Sequence, residues 1–147
     1  METSVLKNEK GVALVIALIM LIVLTLIGIS SINSSIFETK ISGNERVGSS
    51  AFYAAEGGVY VGISRVPDIT AYSGTIGKDE CYRSGRLTDS SPQPQKTLGV
   101  MLKPGFETTW EFKRFQINAT GEFSGAKKEI EVQLSLGPYS AGTSYNN

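Results

Sequence analysis

Between residues 11 and 37 the chain carries no charged side chain, and residues 12–29 read VALVIALIMLIVLTLIGI, interrupted only by Thr25 and Gly28. As a helix rising about 1.5 Å per residue, this stretch crosses a hydrocarbon layer of about 30 Å. The pattern predicts a membrane-crossing helix. Beyond it there is no proline from Ser30 to Val66, and Phe52, Ala55, Val59, Ile63 and Val66 recur at three- or four-residue spacing, which marks one buried helical face. The same helix is therefore expected to run on to residue 66, apolar over 12–29 and amphipathic over 30–66, as a rod about 80 Å long. Gly28, Gly43 and Gly48 each weaken a helix by about 1 kcal/mol relative to alanine, so bends or melted turns are expected there. Pro67 ends it, lacking an amide proton and disfavouring helical geometry in the residue before it.

From residue 67 onward the period changes. Residues 69–95 are rich in Ser, Thr, Gly, Asp and Pro and read as turns and a long surface loop with at most short strands. A strand is expected over 97–103, TLGVMLK, before the Pro104–Gly105 turn. Trp110 and Phe112 then alternate with charged residues, the phase slips near Lys113 and Arg114 as at a bulge, and Phe115, Ile117 and Ala119 resume the apolar face. After a turn at 121–125, Ile130, Val132, Leu134 and Leu136 alternate with polar residues. The expected fold is α+β, a long N-terminal hydrophobic/amphipathic helix packed on a small antiparallel β-sheet in a β-rich domain, residues 67–147. Phe52, Val59, Ile63 and Val66 on the helix, with Trp110 and Phe112 on the sheet, are the expected packing residues.

Composition limits the chemistry. Fourteen basic and fourteen acidic residues cancel, so nothing marks a nucleic-acid surface or a polybasic lipid patch, and no nucleic-acid partner is expected. The chain has one cysteine, Cys81, and no histidine, which excludes an internal disulfide and any Ser-His-Asp or Cys-His arrangement. No catalytic residue, metal site or cofactor is expected; Asp79, Glu80 and Asp89 fit no calcium-loop spacing. Glu56, beside the presumptive buried face, reads equally as a solvated carboxylate or as a contact with another subunit.

Lys10–Gly11–Val12 at the head of the apolar run resembles the cleavage site of a type IV prepilin, although the residues alone also fit an uncleaved signal anchor with Lys7 and Lys10 on the cytoplasmic side. Residues 37–46, FETKISGNER, and 51–58, AFYAAEGG, are similar to the N-terminal signature of PilX-type minor pilins. The resemblance covers about residues 5 to 65. It implies a leader, residues 1–11, cut by a prepilin peptidase between Gly11 and Val12, and methylation of the new terminus at Val12. It further implies a filament helix bearing Ile16, Leu18, Leu21, Leu24 and Gly28, held in the bacterial inner membrane and then built into a surface pilus. The implied partners are other minor pilins, the major pilin and a large tip adhesin.

Major pilins carry a glutamate at the fifth mature position, where this chain has Ile16. A carboxylate at bilayer depth needs a partner, and a subunit without one does not require another subunit's amine above it. The expected role is thus initiation or capping of the pilus within a tip complex, with twitching, adhesion and DNA uptake all open as the use of the pilus. Two other readings are a K-type pseudopilin of type II secretion, which would carry a helical insertion, and a single-pass envelope binding module that never polymerises.

Overall fold

The computed structural model describes residues 9–142; residues 1–8, most of the expected leader, lie outside the described residues, as do 143–147. The element order is α1 (Glu9–Arg65), β1 (Ser73–Thr75), β2 (Glu80–Ser84), β3 (Lys96–Met101), β4 (Trp110–Phe123) and β5 (Ala126–Ser140). The chain divides into two compact units, Met1–Asn44 and Glu45–Asn147.

Among the described residues of the first unit α1 is the only element, and its side chains from residue 11 to 44 are exposed. α1 is helical through Gly28, Gly43 and Gly48, so the melted turns expected there are not found. Each glycine weakens propagation only locally, while the flanking leucine- and isoleucine-rich turns favour it. The helix ends one residue before Val66. Its last carbonyls find partners: Val66 N–H donates to the Ile63 oxygen and Asp68 N–H to the Arg65 oxygen. The Gln95 side chain, 33 residues away, donates to the Gly62 oxygen at 3.1 Å.

In the second unit the sheet is antiparallel and has five strands centred on β4. β5 lines one edge of β4 along its length, while β2 pairs with residues 119–123 and β3 with residues 112–116 of the other edge, so β2 and β3 stand end to end. β1 extends the sheet beyond β2. The bulge expected near Lys113 and Arg114 of β4 falls instead on its neighbours, in two register shifts, one between Thr97 and Gly99 opposite β4 and one between Glu111 and Lys113 opposite β5. In both, the extra residue is on the partner strand. Residues 69–95 hold β1 and β2, and the remainder is tied down: Gly85 N–H continues the ladder to the Asn118 oxygen, and Gln93 N–H bonds the Ser84 oxygen.

The helix meets the sheet through its small residues. Ala51, Ala54 and Ala55 are fully buried and Val59 nearly so, against Phe115, Ile117 and Ala119 of β4. A Cβ on Gly121 would run into the backbone of Ala51, Ala54 and Ala55; one on Gly58 would lie 3.1 Å from Ala119 Cβ, and one on Gly62 would lie 2.7 Å from Ile117 Cγ2. The expected packing set is corrected accordingly. Phe52, Ile63 and Trp110 are 46%, 41% and 42% exposed, because large side chains do not fit where the backbones come this close. Phe112 is buried on the opposite face by strand alternation, under Phe106 at 4.9 Å edge-to-face and Lys103 Nζ at 4.5 Å.

This contact makes two glycines opposite in effect. We expect Gly121→Ala to lower the stability of the full chain in detergent by about 1–3 kcal/mol through overpacking. Gly48→Ala, whose added Cβ meets only Lys128 Cε at 3.8 Å, should raise it by up to about 1 kcal/mol. Thermal unfolding followed by circular dichroism measures both; an unchanged midpoint for Gly121→Ala would count against the close approach.

Candidate assembly surface

The apolar run presents large side chains on every side of α1. Ile16, Leu18, Leu21 and Leu24 are 49–68% exposed, and the space over Gly28 is open. An α-helix apolar all round is stable only when covered, by lipid or by other helices. Its polar groups are prepared for that cover. Thr25 donates its hydroxyl to the Ile22 oxygen at 2.7 Å, Ser34 to Ser30, Ser35 to Ser31 and Thr39 to Ser35, so these hydroxyls have partners within the helix itself. This is the one segment among the described residues that is long and apolar enough to cross a membrane. Gly11 and Val12 lie within the helix and are exposed.

In the second unit, the face of α1 turned away from the sheet carries Phe52, Tyr53, Tyr60 and Ile63, 41–66% exposed, with the Phe52 and Tyr53 rings edge-to-face at 5.9 Å. Val59 stands in the seam and Val66 is half-buried. The sequence-predicted packing residues are therefore split between the seam, the outward helix face and the far sheet face. Ala51, Ala54, Gly58, Gly62 and Gly121 were missed as seam residues. Their signal was present, since positions 51, 54/55, 58 and 62 repeat at helical spacing in Ala and Gly, residues that periodicity in bulky side chains passes over.

Around Asn118 the sheet face away from the helix is polar and internally bonded. Asn118 Nδ2 donates to Glu131 Oε2 at 3.0 Å and Glu129 Oε1 at 3.2 Å, while its Oδ1 accepts from Gln116 Nε2. Leu87 N–H donates to Glu129, and Arg86 stands 3.5 Å from Glu131. These bonds fasten the 85–95 segment across β4 and β5. The Asn118 amide, with Gln133, Arg86 and Gln116 adding to it, holds the Glu131 carboxyl below the usual glutamate range. Near the end of α1, Thr70, through its amide and then its hydroxyl, lowers Asp68 with help from Arg65. Burial pushes the Tyr72 hydroxyl up to about 12.

Among the described residues no group of three or more His, Cys, Asp or Glu stands together to hold a metal, and Cys81 is an exposed free thiol. What the surface offers is apolar helix. Residues 10–59 match the PilX N-terminal family model. Over this segment the chain is similar to PilX-type pilins, and the match supports a relation to the type IV pilus system. PilX pilins are structural rather than enzymatic. The matched residues include the exposed apolar run together with Ala51, Ala54, Ala55 and Gly58 of the seam, so the PilX segment supplies both the free helix and one side of the helix–sheet contact. No curated protein and no solved structure matches the chain.

The Glu131 bonds give an acid-side dependence. Because its folded pKa lies below that of the unfolded chain, its stabilising contribution is complete above the ordinary glutamate value of about 4.3 and is lost as pH falls through the folded value. We expect Asn118→Ala to flatten the decline in melting temperature below about pH 4.3 relative to the wild type. Parallel decline in both proteins would contradict the Asn118–Glu131 linkage.

Proposed function

We propose that this chain is a minor pilin that initiates or caps a type IV pilus as a non-catalytic member of a tip complex. The observation that carries the reading is the match of residues 10–59 to the PilX N-terminal family, a segment that begins with an all-round apolar helix whose side chains are exposed. In this reading the prepilin peptidase cuts between Gly11 and Val12, Val12 is methylated, and the C-terminal domain stands outside the cytoplasm. Residues 12–29, including Ile16, Leu18, Leu21, Leu24 and Gly28, then pass from the inner membrane into a bundle of helices, where dispersion and shape replace lipid contacts. Ile16 supports an end position, because it presents no carboxylate that must meet a neighbour's ammonium. The partners are the other minor pilins, the major pilin and a tip adhesin.

The K-type pseudopilin reading is less well supported, since among the described residues no helix follows α1. An envelope module that never polymerises is separated from the pilin by processing. Co-expression with a prepilin peptidase should give a mature mass beginning at Val12, and omission of the peptidase should leave the leader in place. Retention of the leader with the peptidase active contradicts the pilin. For the end position, deletion should sharply reduce surface pili, and labelled protein should sit at pilus ends; uniform label along the shaft contradicts it.

A further inference from the structure

The outward face of α1 has a carboxylate in the middle of its apolar stripe. Phe52, Glu56, Tyr60 and Ile63 follow at spacings of four, four and three, so they form one strip about 16 Å long. Glu56 is half-buried there, and among the described residues neither a salt bridge nor a hydrogen bond is found for it. At the strip's N-terminal end lies a hollow of about 260 Å³ lined by Glu45, Gly48, Ser49, Phe52, Tyr53 and Lys128. The surface thus combines a mixed polar and aromatic hollow with, one to two helical turns further on, an anion flanked by aromatic rings. Such spacing fits the side of another helix, whose anchors recur every three or four residues.

Charge selects the kind of helix. A half-buried carboxylate between Phe52 and Tyr60 loses its water when a partner covers the strip, and a basic group offsets that loss most strongly. α1 itself has the complementary feature: Arg46 is exposed and in no salt bridge among the described residues. It lies ten residues from Glu56, about 15 Å along the axis, so a parallel helix of the same plan displaced by that distance brings a base level with Glu56.

We propose that Glu56 is the ion-pairing residue of a subunit contact, in which the strip from Phe52 to Ile63 receives the parallel helix of a neighbouring pilin bearing a basic side chain. This rests on the pilin reading and names the chemistry of the partner. The contact fixes axial register, because a basic group reaches Glu56 at one stagger only.

The test uses the full-length chain in cells that make pili, with E56Q, E56K and E56D compared for the amount recovered in sheared pili. Membrane level, cleavage after Gly11 and thermal unfolding in detergent serve as controls for folding. We expect E56D to retain most incorporation, E56Q to lose about threefold or more and E56K about tenfold or more, with unfolding unchanged. Incorporation of E56Q and E56K at the wild-type level overturns the inference. If the wild-type chain itself is uncut or missing from pili, the pilin reading fails instead, and the two failures are told apart by that control.

Discussion

Everything in the second unit depends on how closely α1 approaches β4. At Gly121 the sheet has no side chain, and the helix places the backbone of Ala51, Ala54 and Ala55 in that space. Close backbone contact of this kind buries little bulk per residue. It is steep in distance, however, and fixes helix and sheet with little tolerance. The consequences run outward from it. Gly58 and Gly62 continue the small-residue line, Ile117 and Ala119 fill the far side, and Gln95 reaches the Gly62 carbonyl to close the end of the helix.

Because Ala and Gly satisfy the sheet, the large side chains of α1 stay outside. Phe52, Tyr53, Tyr60 and Ile63 face away from the sheet, and in the first unit the leucines and isoleucines of 12–29 are exposed as well. A chain that folds on its small residues keeps its large apolar ones for other molecules. That division joins the fold to the proposed role, since a filament subunit needs a domain that is stable alone and a helix that is not.

The fold class was legible because two periods, one helical and one of alternating strands, follow each other with Pro67 between them. The apolar run and the PilX-like residues were legible for the same reason, being local patterns. The helix–sheet contact was not. Phe52 and Ile63 share a helical face with Val59, and bulk made that face look like the core; the true seam is rotated toward Ala51, Ala54 and Gly58, and only a partner without side chains, Gly121, makes it possible. That partner is 63 or more residues distant in sequence. The bonds of Asn118 to Glu129 and Glu131 were equally hidden, because they depend on the β4–β5 register rather than on any spacing within one strand.

The central claim is that α1 in the second unit has one face closed by its own sheet and another closed only by neighbouring subunits. Single cysteines placed at positions 52, 53, 56 and 60 in a Cys81→Ser background, reacted with a maleimide, test it most directly. The account predicts rapid labelling of all four in the detergent-solubilised chain and strong protection of the same positions in intact pili. Equal labelling in the two states would contradict it.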